Sequence, residues 1–228
     1  MAWIGISECG KSLGSKTHGF QISVFWIDAE GRKDLIPSLA TAKYMDMFRG
    51  ERNTVFRPCN FDDGKFFKVG SEMVKAFLYP AELDALLYAR WGGSGFDLHS
   101  TRQGVSQQFD SKLAAKLAGR DSITNEEFVQ LVKPTFDPEA DDIDWDAFKR
   151  RFHFIVITES GIFHRDASKV RGNVPLIAWP HNDSKDIFKP HVTDLLTRFK
   201  NGMLKEVPSN YEADTAWSQA YLKKESVL

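Results

Sequence analysis

At 228 residues, 42% hydrophobic and 27% charged, the chain suits one large globular domain or two smaller lobes with a buried core. Its 30 basic and 31 acidic side chains leave a net charge of −1, which excludes a uniformly basic nucleic-acid coat but leaves local basic patches open. Two cysteines, Cys9 and Cys59, make no disulfide framework and have no partners at metal-ligand spacing, and no segment approaches the ~20 apolar residues that span a bilayer.

With no basic leader before an apolar run, the expectation is a soluble, cytoplasmic protein with free thiols, no membrane contact and no cofactor.

Residues Gly5-Ile6-Ser7-Glu8-Cys9-Gly10-Lys11-Ser12 match the phosphate-loop pattern G-x-x-x-x-G-K-[ST], with Gly5, Gly10, Lys11 and Ser12 as its fixed positions. That pattern needs a buried strand before it and a helix after it. Only Met1 to Ile4 precede the first glycine, and Leu13 to Gly19 adds two more glycines without apolar periodicity. Phe20 to Ile27 is β-branched and aromatic, so a hairpin is the favoured parse: strand 2–8, a mobile loop over 9–19, strand 20–27.

A helix is expected from Pro37 to Phe48, stopped at Gly50, then a second hairpin around Asn60-Phe61-Asp62-Asp63-Gly64. Ser71 opens another helix, and 81–91 reads as an amphipathic segment. The stretch 92–108 is rich in Gly, Ser, Gln and Thr, so it is expected to be a loop or hinge between an amino-terminal lobe (1–91) and a carboxy-terminal lobe (109–228), unless the chain is a single domain.

Two helix starts follow. Ile123-Thr124 with Glu127 and Phe128 forms a capping box and hydrophobic staple, and Ile143-Asp144 with Phe148 echoes it twenty residues on. The acidic run 137–144 fails as a calcium loop, because neither register supplies a ligand set. A strong hairpin is expected over Phe152–Thr158 and Ile162–Arg165, then a strand from Val174 to Trp179, a helix over 186–200 and a terminal helix over 210–224. Strands and helices mix without regular βαβ alternation, which points to an α+β fold.

Basic residues beside aromatics are the recurrent theme. Lys65-Phe66-Phe67-Lys68 is expected on a strand; Arg151, His153 and Ile155 are expected on one face of the later hairpin, with His164 and Arg165 returning opposite. Lys11 and Lys16 on the first loop extend that surface, with Arg90 and Arg102 near the hinge. The favoured expectation is a non-enzymatic binding or assembly protein that contacts an anionic polymer, foremost nucleic acid such as RNA, by phosphate neutralisation. The 18 phenylalanines, with Trp217 and Tyr221 four apart near the carboxy terminus, support an alternative: a protein-binding module (inhibitor, immunity factor or shell subunit) or homo-oligomer. A second alternative is a nucleotide-dependent enzyme using Gly5 to Ser12.

Overall fold

The computed structural model describes residues 1–43, 48, 53–62, 64–77, 85–89, 92–96, 99–167, 172–178, 201 and 205–208. The fold is α+β, with helices packed on a mixed sheet. Its strands are β1 (Ala2–Gly5), β2 (Ser38–Ala42), β3 (Cys59–Phe61), β4 (Ala85–Ala89), β5 (Gly92–Phe96), β6 (Arg102–Ser106), β7 (Ser122–Ile123), β8 (Phe154–Thr158), β9 (Gly161–Arg165), β10 (Val174–Ala178) and β11 (Lys205–Pro208). The helices are α1 (Lys11–Ala29), α2 (Ser71–Phe77), α3 (Ser111–Leu117), α4 (Asn125–Val132) and α5 (Asp142–Arg151).

The main sheet runs β11-β2-β3-β6-β1-β8-β9-β10-β7, while β4 and β5 form a separate antiparallel pair. From β11 to β8 the strands are parallel; β9, β10 and β7 continue antiparallel. α1 crosses one face, over β1, β6, β3 and β2. The opposite face carries the core, where the largest fully buried side chains are nearly all phenylalanines. Phe136 is its hub, with ring centroids 4.9 Å from Phe148, 5.7 Å from Phe152 and 5.8 Å from Phe66. Edge-to-face and offset pairs of this kind add about 0.5–1.5 kcal/mol each beyond their buried area.

Several expected elements are corrected. Phe20 to Ile27 is the second half of α1, not a strand: Phe20, Ser23 and Ile27 are buried at helical spacing. The helix expected over 37–48 is replaced at its start by β2. Within 81–91 lies β4, and the expected hinge at 92–108 contains β5 and β6. β6 is buried along its length at the centre of the sheet, so one sheet takes strands from both sides of the expected boundary. Lys65-Phe66-Phe67-Lys68 makes a 3-10 turn rather than a strand, and Arg151 ends α5.

Other expectations hold. α4 carries the Thr124–Glu127 capping box with Ile123 and Phe128 both buried. In α5 the cap is Asp141, paired with Asp144, and Ile143 is 75% exposed, so the second staple does not form. The β8–β9 hairpin pairs Phe154 with Arg165 through to Thr158 with Gly161. Among the described residues no helix is long and apolar enough to cross a membrane.

Candidate functional site

β1 lies between β6 and β8 and delivers the chain to Gly5 at the carboxy-terminal end of the parallel strands. Gly5 has φ +146°, and a Cβ there would sit 2.0 Å from the Ile157 carbonyl oxygen. Ile6 N–H donates to that same oxygen at 3.1 Å, so the strand is pinned to β8 as the loop begins. The loop turns through Glu8 (φ 61°) and Gly10 (φ 85°), both in the left-handed region. α1 then starts at Lys11 with Gly10 as its N-cap. No side chain caps its first turn, and that turn holds no acidic residue, which leaves the positive end of a 19-residue helix facing the loop.

The sequence specifies this helix through small residues. Lys11, Ser15, Gly19 and Ser23 recur every fourth position on its buried side and let it lie close against the sheet. Gln103 of β6, fully buried, locks the contact: its Nε2 donates to Ser15 O at 2.9 Å, and its Oε1 accepts from Trp3 Nε1 at 3.1 Å. His18 Nδ1 lies 3.1 Å from the same oxygen.

Lys11 is 4% exposed. Among the described residues its ammonium donates to the Ile6 carbonyl and lies 3.7 Å from Cys9 Sγ, with no carboxylate partner. A buried cation met only by neutral acceptors is strongly disposed to an anion. Ser12 Oγ, one residue on, donates to Asp62 Oδ1 at 2.9 Å. Asp62 follows β3, two strands from β1, and Lys16 Nζ approaches its other oxygen at 3.5 Å. At the end of the intervening β6, Ser7 Oγ donates to Gln107 Oε1 at 3.0 Å.

The loop, the helix start, Lys11, Ser12 and Asp62 therefore meet at one end of the sheet. The set suits a polyphosphate. The Ser12 hydroxyl and Asp62 carboxylate are hard oxygen donors that suit Mg²⁺, which commonly takes one or two protein oxygens plus phosphate oxygens and water. Among the described residues no group of three His, Cys, Asp or Glu side chains could hold a metal on its own.

The residues expected to form a basic surface are dispersed. Lys11 is buried in the loop, and Lys16 pairs with Asp62. Arg165 is 2% exposed, with Nε donating to Asn125 Oδ1 at 3.2 Å. Arg102 is likewise buried, its guanidinium 4.3 Å from the Phe96 ring centroid. Arg151 donates to Lys75 O at 3.0 Å. Lys65 and Lys68 are exposed on the turn that Phe66 anchors in the core, and Lys68 lies 5.8 Å from the Phe67 ring.

His153 and His164 do share the sheet face that α1 covers in part, offset by one pair because His164 opposes Ile155. His153 Nδ1 lies 3.2 Å from Asp166 Oδ1. Both histidines are exposed. Arg90, Trp217, Tyr221 and the helices expected over 186–200 and 210–224 lie outside the described residues.

Sequence reasoning missed Asp62 and Gln107. Asp62 had a faint signal: the short run Cys59-Asn60-Phe61 ends on an acid, the way a buried strand ends in a polar side chain at a sheet rim. No protein-family model matches the chain, and no curated protein matches it.

Proposed function

We propose that this protein binds a nucleoside triphosphate with Mg²⁺ and hydrolyses its terminal phosphoryl bond. The observation that carries the reading is the strand–loop–helix from Ala2 to Ala29 with Ser12 bonded to Asp62, because this is the context the Gly5–Ser12 pattern needs. In this reading the loop amides and the start of α1 cradle the inner phosphates. Lys11 leaves its loop carbonyl and neutralises charge on the outer ones. Ser12 and Asp62 hold the metal, which when bound supplies charge neutralisation across the phosphates. Gln107, beside Ser7 at the end of β6, is assigned to orienting the attacking water through its carboxamide.

Positioning and electrostatics carry most of phosphoryl transfer, so the absence of a nucleophilic side chain from this list is no obstacle. The reading departs from a basic nucleic-acid surface because Lys11 and Arg165, two of that surface's expected members, are buried.

The test is binding of a fluorescent ATP analogue and phosphate release from ATP and GTP, each with and without Mg²⁺, in the parent and in Lys11→Ala. Saturable, Mg²⁺-dependent binding that Lys11→Ala abolishes is the expected result. No binding by the parent, or equal binding by the variant, overturns the reading.

A further inference from the structure

Asp62 is held from two sides. Its Oδ1 accepts from Ser12 at 2.9 Å and its Oδ2 faces the Lys16 ammonium at 3.5 Å. The Lys16 and Asp62 side chains are 22% and 17% exposed, so bulk water does little to screen the pair. Ser12 and Lys16 are one turn apart on α1, which puts the lysine next to the carboxylate that Ser12 touches.

A second seat for that ammonium lies further down the same sheet face. α1 runs back along the strands: Ser12 meets Asp62, Ser15 meets Gln103, and Ser23 meets Phe56 and Ser38. Four helical residues cover about 6 Å and two strand residues about 6.6 Å, so Lys16 sits level with Asn60, two before Asp62 on β3. Alternation puts Asn60 on the Asp62 face. Asn60 is fully buried, yet neither its Oδ1 nor its Nδ2 has a hydrogen-bond partner among the described residues. Thr41, its register partner on β2, has its buried Oγ1 in the same condition. Leaving such groups unpaired costs about 1–3 kcal/mol each, so two acceptors side by side under a lysine-bearing helix call for a donor.

We propose that Lys16 is a two-position cation that competes with the metal. In one position it neutralises Asp62; when Mg²⁺ engages Asp62 and Ser12, Lys16 withdraws to the Asn60 carboxamide and the Thr41 hydroxyl. This rests on the nucleotide reading above and adds regulation to it: the lysine raises the Mg²⁺ concentration that nucleotide binding requires, and it spares Asp62 an uncompensated charge before metal arrives. α1 itself need not move, because a four-carbon stem spans the distance between the seats.

The test is a Mg²⁺ titration at fixed fluorescent ADP, read as the Mg²⁺ midpoint for nucleotide binding, in full-length parent, Lys16→Met, Lys16→Arg and Asn60→Ala, each with its thermal melt. Lys16→Met should lower the midpoint at least about threefold, since a nearby positive charge no longer opposes the dication. Lys16→Arg should keep a parent-like midpoint, and Asn60→Ala should raise it, because the displaced ammonium loses its second seat. An unchanged or raised midpoint in folded Lys16→Met overturns the competition even where the parent binds nucleotide normally. A midpoint unmoved by Asn60→Ala overturns the second seat alone. A parent that binds no nucleotide removes the functional reading, and this inference with it.

Discussion

Ser12 and Asp62, 50 residues apart in the chain, meet through a hydrogen bond of 2.9 Å that joins the start of α1 to the end of β3. The bond spans a strand, because β6 lies between β3 and β1. Asp62→Asn keeps an acceptor for Ser12 but removes the charge that a divalent cation requires. Nucleotide affinity measured with Mg²⁺ should fall at least about tenfold in this variant, and affinity in chelator should stay close to the parent's. Equal losses in both conditions would assign Asp62 to structure alone.

The two glycines of the loop pattern should behave differently. At Gly5 an added methyl meets the Ile157 carbonyl at 2.0 Å, and backbone cannot step aside cheaply. Gly5→Ala should cost more than about 3 kcal/mol or prevent folding. At Gly10 nothing lies within 4 Å of the added carbon, so Gly10→Ala pays only for its left-handed backbone, about 1–2 kcal/mol. Urea unfolding of the two variants distinguishes these outcomes, and similar losses would contradict the geometry.

Gln103 joins α1, β1 and β6 through a single buried carboxamide. Gln103→Leu keeps the volume but leaves Trp3 Nε1 and the Ser15 carbonyl without their partner. A loss of about 2–4 kcal/mol in chemical denaturation is expected. Because α1 carries Lys11 and Ser12, nucleotide affinity should weaken in the same variant.

His18 gives stability a pH dependence of known sign. Burial lowers its pKa below the ordinary histidine value, against an opposing contribution from the Gln103 hydrogen bond. The unfolded chain therefore takes up a proton near pH 6.5 that the folded chain accepts only at lower pH. This contribution to stability is present above that value and declines as pH falls toward the folded pKa. The fall in urea midpoint on acidification should be smaller in His18→Gln than in the parent; an identical fall would exclude His18 as its source.

In the aromatic core, Phe136→Ala should cost about 3–5 kcal/mol, because the side chain is 1% exposed and touches rings on every side. Phe25, 59% exposed on α1, should tolerate Ser within about 0.5 kcal/mol. Thermal melts of the pair measure the contrast directly.

Where local chemistry decides structure, the sequence was readable. The Thr124 capping box, the β8–β9 hairpin and the strand at Val174 are set by caps, turns and β-branched runs over a few residues. The candidate site's loop pattern was spelled out in Gly5 to Ser12, but its context was hidden by two physical circumstances. α1 buries Ser15, Gly19 and Ser23 rather than an apolar stripe, so its period does not register as hydrophobicity. β2 and β6 are central strands covered on both faces, so they lack alternation, and β6 buries Arg102 and Gln103 because both find internal hydrogen bonds. Asp62, followed by Asp63 and Gly64, looks like a hairpin turn until β3 is seen to run parallel to its neighbours.

The placing of β1 has a kinetic corollary. Its two neighbours come from residues 102–106 and 154–158, so β1 can pair along one edge only once β6 is made and along the other only once β8 is. Loop closures of that length slow assembly, and the Ile157 carbonyl that accepts from Ile6 N–H at the start of the Gly5–Ser12 turn belongs to the later of the two partners. β1 is thus flanked on both edges only after β8 has formed. A chain truncated ahead of β8 would keep α1, β3 and β6 around the loop but lack the Ile157 carbonyl that pins its start.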